Sequence, residues 1–202
     1  VPTTAVRSLP TLWLRRAVRL AGRIALLLLV GLAGLLLSSR GALAQTVELP
    51  VFDIARQDGA LVLDFQARPV LSRAVEDAML KGVPLYFVAQ ATVLRPRWYW
   101  RDERVARATR TWRLSYQPLT GQWRVSLGAL GQTVGSAAEA LAIVSRASGW
   151  RIAEPGEIEP GERYQVEFSF RLDNTQLPRP MQLDLAAQAD WRLSVERSVR
   201  LE

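Results

Sequence analysis

Cysteine and histidine are both absent from this chain of 202 residues. Without cysteine there are no disulfides, no thiolate nucleophile and no Cys-rich zinc site. Without histidine there is no Ser-His-Asp triad, no imidazole proton shuttle near neutral pH, and none of the commonest metal ligand. Acid-rich calcium spacings and glycine-rich phosphate loops are missing as well. These gaps predict no cofactor, no metal and no catalytic residue that can be named, and they lean the reading away from an enzyme.

Acidic residues are missing from the first 44 positions, which hold six arginines. Arg15, Arg16, Arg19 and Arg23 precede a 14-residue uncharged run from Ile24 to Leu37, and Ala42-Leu43-Ala44 follows. A basic stretch, an apolar stretch of that length and a small-residue site are the three parts of a secretory signal peptide, with cleavage expected after Ala44. A spanning helix needs about 20 apolar residues. Length therefore argues against the alternative, an uncleaved inner-membrane anchor through residues 24–39 in a membrane-tethered structural protein. Gln45 stands where a lipoprotein would carry its acylated cysteine.

The formal charge of +7 belongs mainly to this leader, because 20 basic residues face 19 acidic ones from Gln45 onward. No nucleic-acid partner is expected, and membrane contact is expected only through the leader. Residues 45–202 suit a single periplasmic domain, long enough to bury a core without staples.

Alternation dominates that stretch. Gln45 to Arg56, interrupted by Pro50, reads as an irregular edge strand. Asp58-Gly59 turns it into Leu61, Leu63 and Phe65. Pro69 to Lys81 changes period, with Leu71, Ala74, Val75, Ala78 and Met79 on one face, and reads as a helix opened by Pro69 and ended by Gly82. Leu85 to Leu94 is a long strand. Thr111 to Gln117 and Gln122 to Leu127 form a hairpin around Pro118-Leu119-Thr120-Gly121, carrying Trp112, Tyr116 and Trp123. Ser136 and Glu139 make a capping box for a second helix, closed by Gly149. Glu154 to Glu162 is an acidic loop, and Tyr164 to Leu172 alternates strictly. After Pro178 and Pro180 come Met181 to Leu185 and a last strand from Trp191 to Leu201, in which Arg197 breaks the apolar parity and suggests an edge or a strand running past the core. The pattern predicts an α+β fold, mainly antiparallel sheet of about eight strands, sandwich-like, with two short amphipathic helices.

The densest chemistry is Arg95-Pro96-Arg97-Trp98-Tyr99-Trp100-Arg101, in a segment with seven arginines up to Arg113 against Asp102 and Glu103. Guanidinium groups interleaved with aromatic faces bind carboxylate, phosphate or sugar rings. Arg95, Arg97, Trp98, Tyr99, Trp100 and Arg101 are the candidate ligand- or partner-binding residues, facing an envelope protein, peptidoglycan or anionic lipid headgroups. The bland alternative sends Trp98 and Trp100 into the core from one strand face, with the arginines solvated or stacked over them. The acidic loop is a surface feature that leaves ion pairing with this segment open. Paired carboxylates for glycan chemistry, Glu76 with Asp77 or Glu157, Glu159 and Glu162, are explained as solvated charges.

Several ordered stretches carry a resemblance: Val75-Glu76-Asp77-Ala78 with Lys81-Gly82-Val83-Pro84-Leu85-Tyr86-Phe87-Val88, Arg97-Trp98-Tyr99-Trp100, Tyr116-Gln117-Pro118-Leu119-Thr120, Ser148-Gly149-Trp150-Arg151-Ile152-Ala153, and Gln176-Leu177-Pro178-Arg179-Pro180. Together they resemble an uncharacterised family of exported Gram-negative proteins, catalogued as a domain of unknown function, number 4390. The resemblance covers essentially all of the chain after the leader. It implies export and a gene often beside a membrane sensor kinase, and it transfers no catalytic residue. The expectation is a non-catalytic partner- or ligand-binding envelope module. The alternative is a carboxylate-dependent enzyme acting on envelope glycan.

Overall fold

The computed structural model describes residues 45–99, 101–177 and 189–201. Over these the chain is α+β and mainly antiparallel, as the alternation predicts. In chain order the elements are β1 (Gln45–Thr46), β2 (Glu48–Gln57), β3 (Ala60–Arg68), α1 (Arg73–Leu80), β4 (Leu85–Arg95), β5 (Glu103–Gln117), β6 (Gln122–Leu127), β7 (Leu130–Val134), α2 (Ala137–Val144), β8 (Arg146–Ala153), β9 (Tyr164–Leu172) and β10 (Leu193–Leu201). One sheet has the order β1-β10-β9-β4-β5-β6-β7 and the other β2-β3-β8. Every pairing is antiparallel except the two-residue β1, which runs parallel to the start of β10.

Turn chemistry sets the register. Asp58 and Gly59 both have positive φ, 51° and 80°, as a two-residue hairpin turn requires, so Gln57 pairs Ala60. Pro50 sits where the β2–β3 register shifts between Glu48 and Val51, a place where its missing N–H breaks no regular ladder. The β5–β6 hairpin places Tyr116 opposite Trp123, rings 4.7 Å apart, and Trp112 opposite Leu127.

The two sheets close on each other through one hydrophobic cluster, and its centre is Phe65 of β3. That ring lies 4.8 Å from Phe168, 6.0 Å from Phe170, 6.4 Å from Trp112 and 6.2 Å from Trp150. Each tilted or edge-on pair adds about 0.5–1.5 kcal/mol to its area burial. The alternation of β4 and β9 follows from this packing, although Val88, on the outer parity of β4, is buried too. Phe87, Ala89, Ala91 and Val93 pair with Leu172, Phe170, Phe168 and Val166 on the inner side, and Gln90 and Thr92 pair with Ser169 and Glu167 on the outer.

Both helices are shorter than their patterns predict. Leu71 is buried, but α1 starts at Arg73 because Ser72 is its cap, accepting from the Val75 N–H at 3.2 Å and donating to the Asp190 carbonyl at 3.0 Å. In α2 the cap is Ser136, as the capping box predicts, and the Glu139 N–H donates to it. The helix ends at Val144 and not at Gly149. Ala147, Trp150 and Ile152 bury themselves by continuing as β8 along β3, and sheet pairing there outweighs further helical turns. The alternation also starts earlier than Thr111: β5 reaches back to Glu103, with a register shift opposite Val93 and Leu94. Beyond Ser194, β10 has no outer neighbour among the described residues, so the edge expected from Arg197 is present, with that guanidinium 5.2 Å over Phe52. The leader, Trp100, Pro178, Pro180 and Met181 to Leu185 lie outside the described residues. No helix among the described residues is long and apolar enough to cross a membrane.

Candidate functional site

The loop joining β4 to β5 carries the candidate residues. Neither Trp98 nor Tyr99 enters the core: Trp98 is 94 % exposed and Tyr99 66 %, and their rings meet edge-on at 5.0 Å. The alternative that buries Trp98 from a strand face fails because β4 ends at Arg95, after which Pro96 cannot donate to the ladder and the chain bends. Trp100 lies outside the described residues. Arg97 ties the base of the loop, its guanidinium paired with Glu103 and its N–H donating to the Asp102 carboxylate at 3.3 Å. Arg101 is exposed.

Arg95 has a different role from its neighbours. It donates to Glu159 of the acidic loop at 3.0 Å and to the Tyr164 hydroxyl at 3.2 Å. Hydrogen bonds to Tyr164 and then to Glu159 hold its guanidinium above the ordinary arginine value. The same hydroxyl accepts from the Glu159 N–H at 2.9 Å, while Arg56 lies 5.8 Å from the centre of the Tyr164 ring and donates to the Glu159 and Glu162 carbonyls. The acidic loop is thus clamped onto the sandwich by Arg95 and Arg56, which resolves the ion pairing left open by sequence. Arg95 fastens a loop and the Trp98–Tyr99 tip stands free of it.

Alternation along β5 sorts the remaining arginines. Arg107 and Arg113 point outward, Arg107 donating to the Gln90 side chain. Arg110 falls on the same parity as Ala106, Trp112 and Leu114, lies 5.2 Å over the Trp150 ring, and is lowered from its ordinary value by desolvation. One arginine in the run therefore faces between the sheets, a placement visible only once the strand is extended to Glu103.

The carboxylates singled out by sequence do not converge. Glu76 and Asp77 are exposed on α1. Glu157 accepts from the Glu154 N–H at 2.7 Å and Glu159 is held by Arg95. A different pair shares a depression of about 510 Å³ on the outer face of the large sheet: Glu167 and Glu196, at diagonal positions of β9 and β10, with Gln90, Thr92, Ser169 and Ser198. Adjacent alternation of Glu167 with Ser169 and of Glu196 with Ser198 was the available signal, and it needed the strand order to be read. No group of three or more acidic side chains among the described residues is placed to hold a metal ion.

Fold and loop together define a two-sheet α+β domain that presents an aromatic pair on a tied hairpin end. The chain belongs to the family described as a domain of unknown function, DUF4390, which matches residues 44–200. No curated protein matches it. No solved structure does either.

Proposed function

We propose that the chain is an exported, non-catalytic module of the bacterial envelope that docks on a partner protein through the β4–β5 loop, with a membrane sensor kinase the specific candidate. The exposure of Trp98 carries this reading. Burying a large aromatic side chain is worth about 1.5–3 kcal/mol, and here that gain is left unrealised while Arg97 and its acidic partners fix the loop base. Trp, Tyr and Arg are the side chains that dominate protein contacts when desolvated. The leader supports periplasmic export, and the family resemblance supports the kinase as partner.

The test is photo-crosslinking in intact envelopes from a probe at position 98, compared with one at Leu119, which is equally exposed on another turn. A discrete adduct from position 98 alone, lost in Tyr99→Ala with Arg101→Ala, is the expected result. Equal labelling from both positions overturns the assignment, and adducts made only with lipid or peptidoglycan replace the protein partner.

One observation favours a second reading, an enzyme acting on envelope glycan: the shared depression holding Glu167 and Glu196. Two carboxylates on one cleft are what such chemistry needs. Neither is buried, however, and the depression is lined mostly by polar side chains. Release of soluble fragments from purified peptidoglycan by the wild type, abolished in Glu167→Gln and Glu196→Gln, would establish it.

A further inference from the structure

Arg110 occupies an apolar position in an alternating strand. Its neighbours on that side of β5, Trp112 and Leu114, are 3 % and 0 % exposed, and Arg110 itself is half-buried between the sheets. Among the described residues no carboxylate pairs with it, and its contact is the Trp150 ring at 5.2 Å. A partly desolvated cation without a counter-ion is unfavourable unless something supplies the negative charge. The cavity it borders has a volume of about 680 Å³, within the range of ligand pockets. Phe65, Trp112, Leu127 and Ile143 give that cavity an apolar wall, and Arg146 adds a second guanidinium. The acid on its border, Asp64, accepts the Gly149 N–H at 2.5 Å and forms no ion pair with either guanidinium, so two cations face one carboxylate and the cavity keeps a net positive charge. A second, largely apolar cavity of about 270 Å³ shares Trp112, Leu127 and Ile143 and runs out past Leu130, which is 76 % exposed.

We infer that this cleft is a binding site for a single-chain anionic amphiphile, with the charged head at Arg110 and Arg146 and the apolar chain along Trp112, Leu127 and Ile143 toward Leu130. Charge decides the head group. Two guanidinium groups bind a carboxylate or phosphate by paired N–H donation, and the aromatic wall lowers the local dielectric and strengthens that attraction. The shape decides the tail, because the cavity continuing from the arginines is apolar over its whole shared wall. The site is separate from the β4–β5 loop and does not depend on the docking reading.

Calorimetric titration of the full chain with laurate, dodecyl phosphate, dodecanol and acetate tests it. Laurate and dodecyl phosphate are expected to saturate one site, dodecanol to bind at least tenfold more weakly, and acetate not to bind. The two charged probes distinguish a fatty-acid carboxylate from a phosphate head as the preferred source of the anion. Arg110→Met should weaken both by at least tenfold while leaving dodecanol unchanged, and Ile143→Trp, which fills the shared wall, should weaken all three long-chain probes. Because Met still covers the Trp150 ring and removes an unpaired charge, Arg110→Met should melt at or above the wild-type temperature. A lower melting temperature with unchanged laurate affinity would make Arg110 a stacking residue only and overturn the site. Equal affinity for laurate and dodecanol, or displacement of neither by the other, overturns it too.

Discussion

Gly149 donates its backbone N–H to the Asp64 carboxylate at 2.5 Å, with φ of +60°, at the point where β8 slips register along β3. Between Leu63 and Phe65 the partner strand advances from Trp150 to Ala147, so one extra residue must be absorbed. The side chain at position 64 faces the bulge and accepts the N–H that the ladder leaves unpaired.

Gly149→Ala should cost about 1–2 kcal/mol, because a Cβ is disfavoured in the left-handed region even though no atom lies within 4 Å of it. Asp64→Ala should cost about 1 kcal/mol by orphaning the N–H. The two act on one bulge, so the double variant should lose less than the sum of the singles. Urea unfolding of the four proteins checks this, and strict additivity would mean that the hydrogen bond does not hold the bulge.

Phe65→Ala should lose about 3–5 kcal/mol, and Phe65→Leu distinctly less. Four aromatic rings from both sheets meet this side chain, and no single neighbour can collapse into the space. Leu119→Ala is the control, at 101 % exposure, and should stay within about 0.5 kcal/mol. Chemical denaturation midpoints read all three.

What sequence made legible here is what a period of two can encode. Leu61, Leu63 and Phe65, Phe87 to Val93, and Tyr164 to Leu172 announce which side is buried, and the Asp58-Gly59 turn announces its own geometry. Arg146 to Ala153 hides its strand because Gly149 and the two register shifts break the alternation, and the preceding capping box draws the helical reading too far. Leu130 to Val134 hides as well: apart from Val134 its side chains are exposed, so no apolar parity marks it. For the loop, the composition singled out seven residues as one feature and did not show their division. The separation of Arg95 from Trp98 depends on Tyr164 and Glu159, more than 60 positions away, which no local pattern reports.

Asp173 sets a pH dependence. Burial opposes ionisation of its carboxyl, but hydrogen bonds from the Gln176 and Thr175 side chains and from the Thr175 N–H together outweigh it and hold the group below the usual carboxylate value. A depressed folded-state value means that the stabilisation is complete above the unfolded value, near 3.9, and is lost as pH falls through the folded one. Asp173→Asn keeps an acceptor and removes the charge. It should be less stable than wild type by about 1 kcal/mol at pH 7, after solvent screening, and the gap should close by about pH 2. Thermal melts at both pH values decide it, and a gap that persists in acid would assign the effect to packing.

Trp98 separates stability from binding more sharply than any other described residue. Its ring is 94 % exposed and touches Tyr99, so Trp98→Ala should change unfolding free energy by less than about 0.5 kcal/mol, whereas Trp112→Ala, at 3 % exposure in the core, should cost about 3–5 kcal/mol. If the loop is the docking surface, partner affinity responds in the opposite order: Trp98→Ala should lose about 2 kcal/mol of binding, roughly thirtyfold, as a central aromatic anchor does. Arg97→Ala should fall between them, because it frees Glu103 while the backbone N–H of residue 97 still holds Asp102, and so loosens the geometry of the aromatic tip without removing it. Unfolding midpoints and partner pull-down yields on the same four proteins give both orders, and a Trp98 variant that unfolds early while still binding would place this side chain in the fold and not in the contact.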